Sequence, residues 1–281
     1  MISEAEVRRI AGGLGVEPTV VDHDYALGCF LHFLGLQPHV QESWVFKGGT
    51  SLCKCYFPEY RFSEDLDFTA TKAVSESVLH HIVREAKNAM QESIGIRTDA
   101  RDVLIDKIED DYGKEYYEAR VSYEGPWEYG GSPRSIRVHV NRDEKIVFPV
   151  LNSSIIHPFS DPNDLPKSSV SVYSLEELFV EKLRAFSGQR KRDIARDVYD
   201  LHYLSRGAID INKAIEAFPQ KWTAKGISLV AIDISRVAGR KEGYAANWRN
   251  NLEYLIPAAL KMPFEEAWDT SIRLLRRVLD E

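Results

Sequence analysis

The sequence predicts an α+β fold: a helical opening, a twisted mixed sheet, and then a helical C-terminal half. Three patterns carry that prediction. Apolar residues recur at helical spacing across residues 3 to 36, as in "DHDYALGCFLHFLGL". Between about 102 and 150 the chain breaks into short runs rich in β-branched and aromatic residues. Beyond residue 173 the pattern returns to helical periods through "RLLRRVL". The expected domains are 1–165, α+β, and 166–281, helical.

The first helix opens at "SEAE", where Ser3 and Glu6 form a capping box. "WVFKGGTSL" reads as a short strand, a glycine turn and a helix starting at about Ser51, and "DLDFTA" alternates as a strand. A helix follows from near Ser75 to about 92. "VLIDKIED", "KEYYEARVSYE", "SIRVHVN" and "KIVFPVL" are the expected strands of the sheet, with turns at "EDDYGK" and "EYGGSP". Pro158, Pro162 and Pro166 mark residues 152 to 173 as a loop or linker, and Ser174 with Glu177 opens the helical half through a second capping box.

At 281 residues the chain can bury a sizeable core, and 44% hydrophobic with 28% charged residues is ordinary for a soluble globular protein. No apolar run of membrane-spanning length occurs, and "MISEAEVRRIAGG" has no signal-peptide core, so a cytoplasmic protein without membrane contact is expected. Three cysteines make neither a disulfide framework nor a zinc set. A net charge of −7 argues against a general nucleic-acid coating protein but leaves room for a local basic groove. Arg184, Arg190, Lys191, Arg192 and Arg196 form one basic cluster, and Arg236, Arg240 and Lys241 a second. Each is either a solvated helix face or an anion track.

The chemistry concentrates in "KGGTSLCKCYFPEYRFSEDLDF". Alternate strand residues share a face, so Asp65 and Asp67 point one way while Leu66 and Phe68 point into the core. Paired carboxylates on a rigid face suit one or two Mg²⁺ ions whose other ligands are water and substrate phosphates. Gly48 and Gly49 let backbone approach an anion, and Thr50 and Ser51 offer hydroxyl donors to phosphate oxygens. No lysine follows the glycines in Walker fashion, so this is not a P-loop.

Two further features lie in the helical half. Lys182 sits among Leu178, Phe179, Ala185 and Phe186, where it either snorkels out of a buried stripe or reaches into a cleft. Asp193, Asp197 and Asp200 fall at i, i+4 and i+7, one face of a single helix, and like charges so close need cationic partners.

The arrangement of strand, GG-T/S, helix and a strand carrying D-h-D resembles the first motif of the nucleotidyltransferase-fold superfamily. "FKGGTSL" with "RFSEDLDF" is similar to the AbiEii/AbiGii toxin family, which includes the MenT-like enzymes. "EKLRAF" with "RDIARDVYDL" matches that family's second region, and "DHDYALGCFLHFL" and "NWRNNLEYLIP" extend the likeness over most of the chain. The resemblance implies a nucleotidyltransferase fold and a Mg²⁺-dependent toxin enzyme, with the helical domain contributing active-site residues. It makes Asp65 and Asp67 metal ligands and Gly48, Gly49, Thr50 and Ser51 the nucleotide cradle. Lys182 becomes a phosphate contact, Asp197 or Asp200 an active-site carboxylate, and Asp193 peripheral.

The implied reaction transfers NMP from an NTP to a hydroxyl. The 3′ end of a tRNA acceptor stem is expected, blocking translation, with the two basic clusters as the tRNA track and a winged-helix antitoxin encoded nearby. Phage defence is a further implied role. A protein or small-molecule acceptor is the alternative enzyme, and a module that binds nucleotide or antitoxin without catalysis is the alternative class. The resemblance also makes Ser63, two residues before Asp65, a candidate regulatory phosphosite, and a dianion there would repel triphosphate. One departure stands out. The third carboxylate of many nucleotidyltransferases falls on His139, which would act as base, with Asn141, Asp143 or Glu144 as substitutes.

Overall fold

The computed structural model describes residues 1–98, 103–109, 115–127, 134–142, 144–207, 209–224, 226 and 228–279. The turns expected at "EDDYGK" (beyond Glu109) and "EYGGSP", and the candidate Asp143, lie outside the described residues. The chain divides into two compact units. One comprises Met1–Asp143, Leu151–Val172 and Leu255–Leu260; the other comprises Glu144–Val150, Tyr173–Tyr254 and Lys261–Glu281.

The first unit opens with α1 (Glu4–Leu14) and α2 (Pro18–Leu34). Ser3 caps α1, its Oγ accepting from the Glu6 amide at 3.2 Å. The Glu6 carboxylate does not complete the box; it accepts from the amide and hydroxyl of Ser160 instead. Helix α2 starts at Pro18, whose missing N–H costs nothing at a first-turn position. It is buried on nearly every side, and Tyr25, Leu27, Phe30, Leu31 and Leu34 have no exposed surface. The acidic residues within it are therefore paired. Asp24 holds Lys54 at 2.7 Å, and Asp22 accepts from the Trp127 amide at 2.9 Å and from Arg134 at 3.2 Å. Burial pushes the Asp22 carboxyl above the usual range, against the lowering effect of those donors.

After α3 (Pro38–Ser43) come β1 (Trp44–Lys47), the short α4 (Gly48–Ser51) continued by a π turn over Leu52–Tyr56, and β2 (Asp65–Ala70). Then follow α5 (Glu76–Ile94, capped by Ser75), β3 (Arg97–Thr98), β4 (Leu104–Glu109), β5 (Glu115–Glu124), β6 (Arg134–Asn141), β7 (Val150–Ser154) and β8 (Ser169–Tyr173). The strands form one mixed sheet in the order β3-β5-β6-β2-β1-β8-β7, with β4 also paired to β5. Strands β1 and β2 are antiparallel, β2 and β6 parallel, and β5 and β6 antiparallel.

Two sequence expectations change here. "KIVFPVL" is not a strand from its start. Pro149 has no N–H for a ladder, and regular structure begins only at Val150. The Val147 and Phe148 amides instead donate to the Glu177 carboxylate, each at 2.7 Å. The proline-marked stretch 152–173 is also more than a linker, because "SVSVY" alternates Val170 and Val172 inward and forms β8 beside β1.

The second unit contains α6 (Leu175–Arg184), α7 (Ala195–Ser205), α8 (Ile211–Thr223), α9 (Ile234–Ala238), α10 (Lys241–Asn251) and α11 (Phe264–Val278). Ser174 caps α6, accepting from the Glu177 amide at 3.2 Å. Aromatic rings fill the core: Phe186 meets Tyr244 and Trp268 edge-on at 5.6 and 5.5 Å. The Glu177 carboxylate pairs with Lys221 at 2.6 Å, both side chains wholly buried, and Lys221 also donates to the Lys145 carbonyl at 2.7 Å. This ion pair and the Val147 and Phe148 amides fasten the segment Glu144–Val150 to the helices. Among the described residues no helix is long and apolar enough to cross a membrane.

Candidate active site

The glycine turn is tighter than its sequence suggests. Helix α4 begins at Gly48, three residues earlier than expected, and Gly48 adopts φ 78°. A Cβ on Gly48 would stand 2.4 Å from Oδ2 of Asp67, and one on Gly49 would stand 2.6 Å from Nη2 of Arg61 and 3.1 Å from Oγ of Ser63. Gly48 is thus required by its backbone and by Asp67, while a side chain on Gly49 would have to displace the tip of Arg61. Thr50, fully buried, donates its hydroxyl to the Asp65 carbonyl, and Ser51 donates to the Gly48 carbonyl at 2.8 Å. In this structure the two hydroxyls tie the turn together and tether it to β2.

Strand β2 alternates as its sequence predicts. Leu66 and Phe68 are fully buried, while the Asp65 and Asp67 side chains keep 23% and 33% of their surface exposed. The strand begins at Asp65, so it does not reach back to Ser63, which is nearly buried beside the glycine turn. Register with β6 sets Arg137 beside Asp65 and His139 beside Asp67, and β5 continues both rows with Arg120 and Glu118.

His139 does stand next to the aspartate pair, clasped between two carboxylates. Its Nδ1 lies 3.0 Å from Oδ1 of Asp67 and its Nε2 lies 2.8 Å from Oε2 of Glu118. Burial opposes the charged ring, yet the hydrogen bonds and negative charge of Asp67, Asp65 and Glu118 outweigh it and raise the imidazole to about 9. At neutral pH the ring is protonated and donates to both carboxylates. Burial works to raise Glu118, but the hydrogen bonds of His139 and Arg120 prevail and hold it below the usual range.

Glu118 was missed in the sequence, although alternation in "KEYYEARVSYE" puts it on the same face as Arg120 and opposite the buried Ala119. Of the proposed substitutes, Asn141 pairs one step further along, with Thr69. Glu144 belongs to the second unit, paired with Arg184 at 3.1 Å.

Among the described residues no group of three or more histidine, cysteine or acidic side chains is placed to hold a metal ion. A cation here would draw on Asp65 and Asp67, with water and substrate oxygens completing its shell. That donor set suits a hard, octahedral Mg²⁺ better than a transition metal.

In the second unit, Lys182 is buried, its ammonium 2.5 Å from Oδ2 of Asp200 and 3.4 Å from Oδ1 of Asp197. Lys182 therefore does not snorkel to solvent. Arg190 adds a 2.6 Å bond to the other oxygen of Asp197. Asp193 corrects the single-face expectation, since α7 starts only at Ala195 and Asp193 precedes it. It is bound by Arg240 at 2.7 and 2.6 Å and packs so tightly on Gly243 that a Cβ there would come within 2.1 Å of it. Arg240 also donates to the carbonyls of Arg190 and Lys191, at 3.1 and 2.9 Å, which brings the two basic clusters together. Arg184 is buried and leaves that patch.

A family model described as the AbiEii nucleotidyl transferase toxin of type IV toxin–antitoxin systems matches residues 35–270. Among solved structures, the MenT4 nucleotidyltransferase toxin of Mycobacterium tuberculosis H37Rv is similar with a TM-score of 0.63 at 20% identity, over 100% of this chain and 91% of that one. A protein from H. pylori whose structure carries a nucleotidyltransferase designation is similar with a TM-score of 0.54 at 18% identity, over 94% and 96%. At such identities these likenesses establish the nucleotidyltransferase-like α+β fold. No curated protein sequence matches the chain.

Proposed function

The chain belongs to the AbiEii nucleotidyl transferase toxin family of type IV toxin–antitoxin systems, and on that footing we propose that it transfers NMP from an NTP to the 3′ hydroxyl of a tRNA acceptor end, with Mg²⁺ at Asp65 and Asp67. The observation that carries the reading is the contact between the glycine turn and the carboxylate pair. Gly48 has no side chain because Asp67 occupies that space, which supports reading the turn as a phosphate cradle joined to the metal ligands.

In the reaction the acceptor oxygen forms a bond to the α-phosphorus as the bond to the β-phosphate oxygen breaks. Pyrophosphate leaves and the hydroxyl proton passes to solvent. Bound Mg²⁺ would lower the hydroxyl's pKa and neutralise phosphate charge. Gly48 to Ser51 would position the triphosphate through backbone amides, while Asp65 and Asp67 supply oxygen ligands. His139, held between Asp67 and Glu118, keeps Asp67 oriented. Lys182 is assigned to phosphate through the family's motif, with Asp197 and Asp200 fixing its ammonium. The joined basic clusters around Arg240 are the proposed tRNA track. The family implies a cognate antitoxin, for which a winged-helix protein encoded alongside is proposed, and the site of action would be the cytoplasm.

The test is incubation with α-labelled NTPs, Mg²⁺ and total RNA. Label is expected in tRNA, and Asp65→Asn should reduce it by at least about a thousandfold, the scale of losing charge stabilisation in a transition state. Label found only on protein or small molecules would overturn the tRNA reading.

A further inference from the structure

We propose that the open face of β6 and β5 is the docking site of the hydroxyl-bearing substrate, and that Arg137 and Arg120 grip a nucleic-acid backbone phosphate there; this rests on the reading of Asp65 and Asp67 given above. The sheet order β5-β6-β2-β1 gives the carboxylate strand two different flanks. On the β1 side the chain runs straight into Gly48 and Gly49, where an NTP's phosphates would lie. On the β6 side stands a two-strand row of cations.

Register makes that row continuous: Asp65 pairs with Arg137, and Arg137 with Arg120. The intervening Leu66, Val138 and Ala119 are fully buried, so the charged residues share the opposite, open face. The Arg137 side chain is 51% exposed and Nη1 lies 3.6 Å from Oδ1 of Asp65, beyond hydrogen-bond range. Arg120, 43% exposed, is oriented by Glu118 through Nε and by Asp106 through Nη2 at 3.1 Å. With strands about 4.8 Å apart, the two guanidinium stems lie roughly 5 and 10 Å to the side of the carboxylates.

Arginine matches phosphate oxygens with a planar fork of donors, and a pre-oriented guanidinium loses little entropy in gripping one. An acceptor placed here would have one phosphate fixed beside Asp65 while its terminal hydroxyl reaches the α-phosphorus from the flank opposite the cradle. A protein hydroxyl brings an anion only where a carboxylate chances to lie near it, whereas every RNA nucleotide brings a phosphate at a fixed reach from the terminal hydroxyl. The chemistry therefore favours RNA as the acceptor and assigns it a side of the sheet.

The experiment uses the full chain with fluorescein-labelled deacylated tRNA. Binding is measured by anisotropy without NTP, and transfer by labelled NTP. Arg137→Ala and Arg120→Ala should each raise the Kd and KM for RNA about tenfold, leave the KM for NTP within about twofold, and reduce the salt slope of binding by about 1. Arg97→Ala, which removes an exposed arginine on β3 paired to Glu124, serves as the charge control and should change neither.

An equal loss in Arg97→Ala, a rise in the KM for NTP instead, or unchanged RNA binding in both row variants would overturn the proposal. Wild-type protein that labels no RNA would sink the parent reading and this one together. RNA labelling that persists undiminished in the row variants would sink only this one.

Discussion

At Gly48 a methyl group would be held at φ 78° and only 2.4 Å from a carboxylate oxygen of Asp67, so the residue serves both backbone and site. Gly48→Ala is expected to cost about 2–4 kcal/mol, from left-handed strain together with overpacking. It should also abolish transfer, because Asp67 must rotate away. Chemical denaturation and the labelled-NTP assay would check the two effects separately. His139 gives the clearest pH signature. Its pKa is about 9 in the folded chain and about 6.5 unfolded. The stabilisation is therefore fully present below about pH 6.5 and disappears as pH rises through 9, a change of about 3 kcal/mol at most. Denaturation midpoints at pH 6 and pH 10 should differ accordingly in the wild type, and His139→Gln should flatten that difference. A His139 whose NMR titration falls near 6.5 in the metal-free protein would refute the clasp with Asp67 and Glu118.

Elements whose partners lie close in sequence were readable in advance, and those defined by distant partners were not. The alternation of "DLDFTA" predicted which residues point inward. Leu66→Ala should cost about 2–5 kcal/mol by leaving a cavity under the carboxylates. Both capping boxes were half right. Ser3 and Ser174 cap their helices as predicted, but Glu6 and Glu177 are drawn to partners far along the chain. The start of α7 was missed because Asp193 belongs to Arg240, 47 residues away, a pairing without local signal. Glu118 was missed for the same reason: its meaning depends on a strand register that sequence spacing does not encode. Glu177 also holds Lys221 and two backbone amides, so Lys221→Met should cost about 3–5 kcal/mol, the scale for stranding a buried charge. Thermal unfolding would show it as a markedly lowered midpoint. A shift of only a degree or two would mean that Glu177 is satisfied without its lysine.

For the whole molecule, net charge and local charge act at different ranges. The total is −7, yet cations collect around Arg240 and along Arg137 and Arg120, so the proposed RNA association should weaken steeply with ionic strength while folding changes little. The first unit needs residues from three stretches of chain, including Leu255–Leu260, and the Leu255 carbonyl accepts from the Phe62 amide at 2.8 Å, just upstream of Ser63. A fragment ending at residue 172 should therefore unfold at a lower temperature than the full chain, as followed by circular dichroism, and an unchanged, cooperative melt would contradict this. The interleaving also constrains inheritance. A genetic exchange at codon 172 would carry off a strip of six residues that belongs to the other unit, so a cut there would not deliver either unit whole.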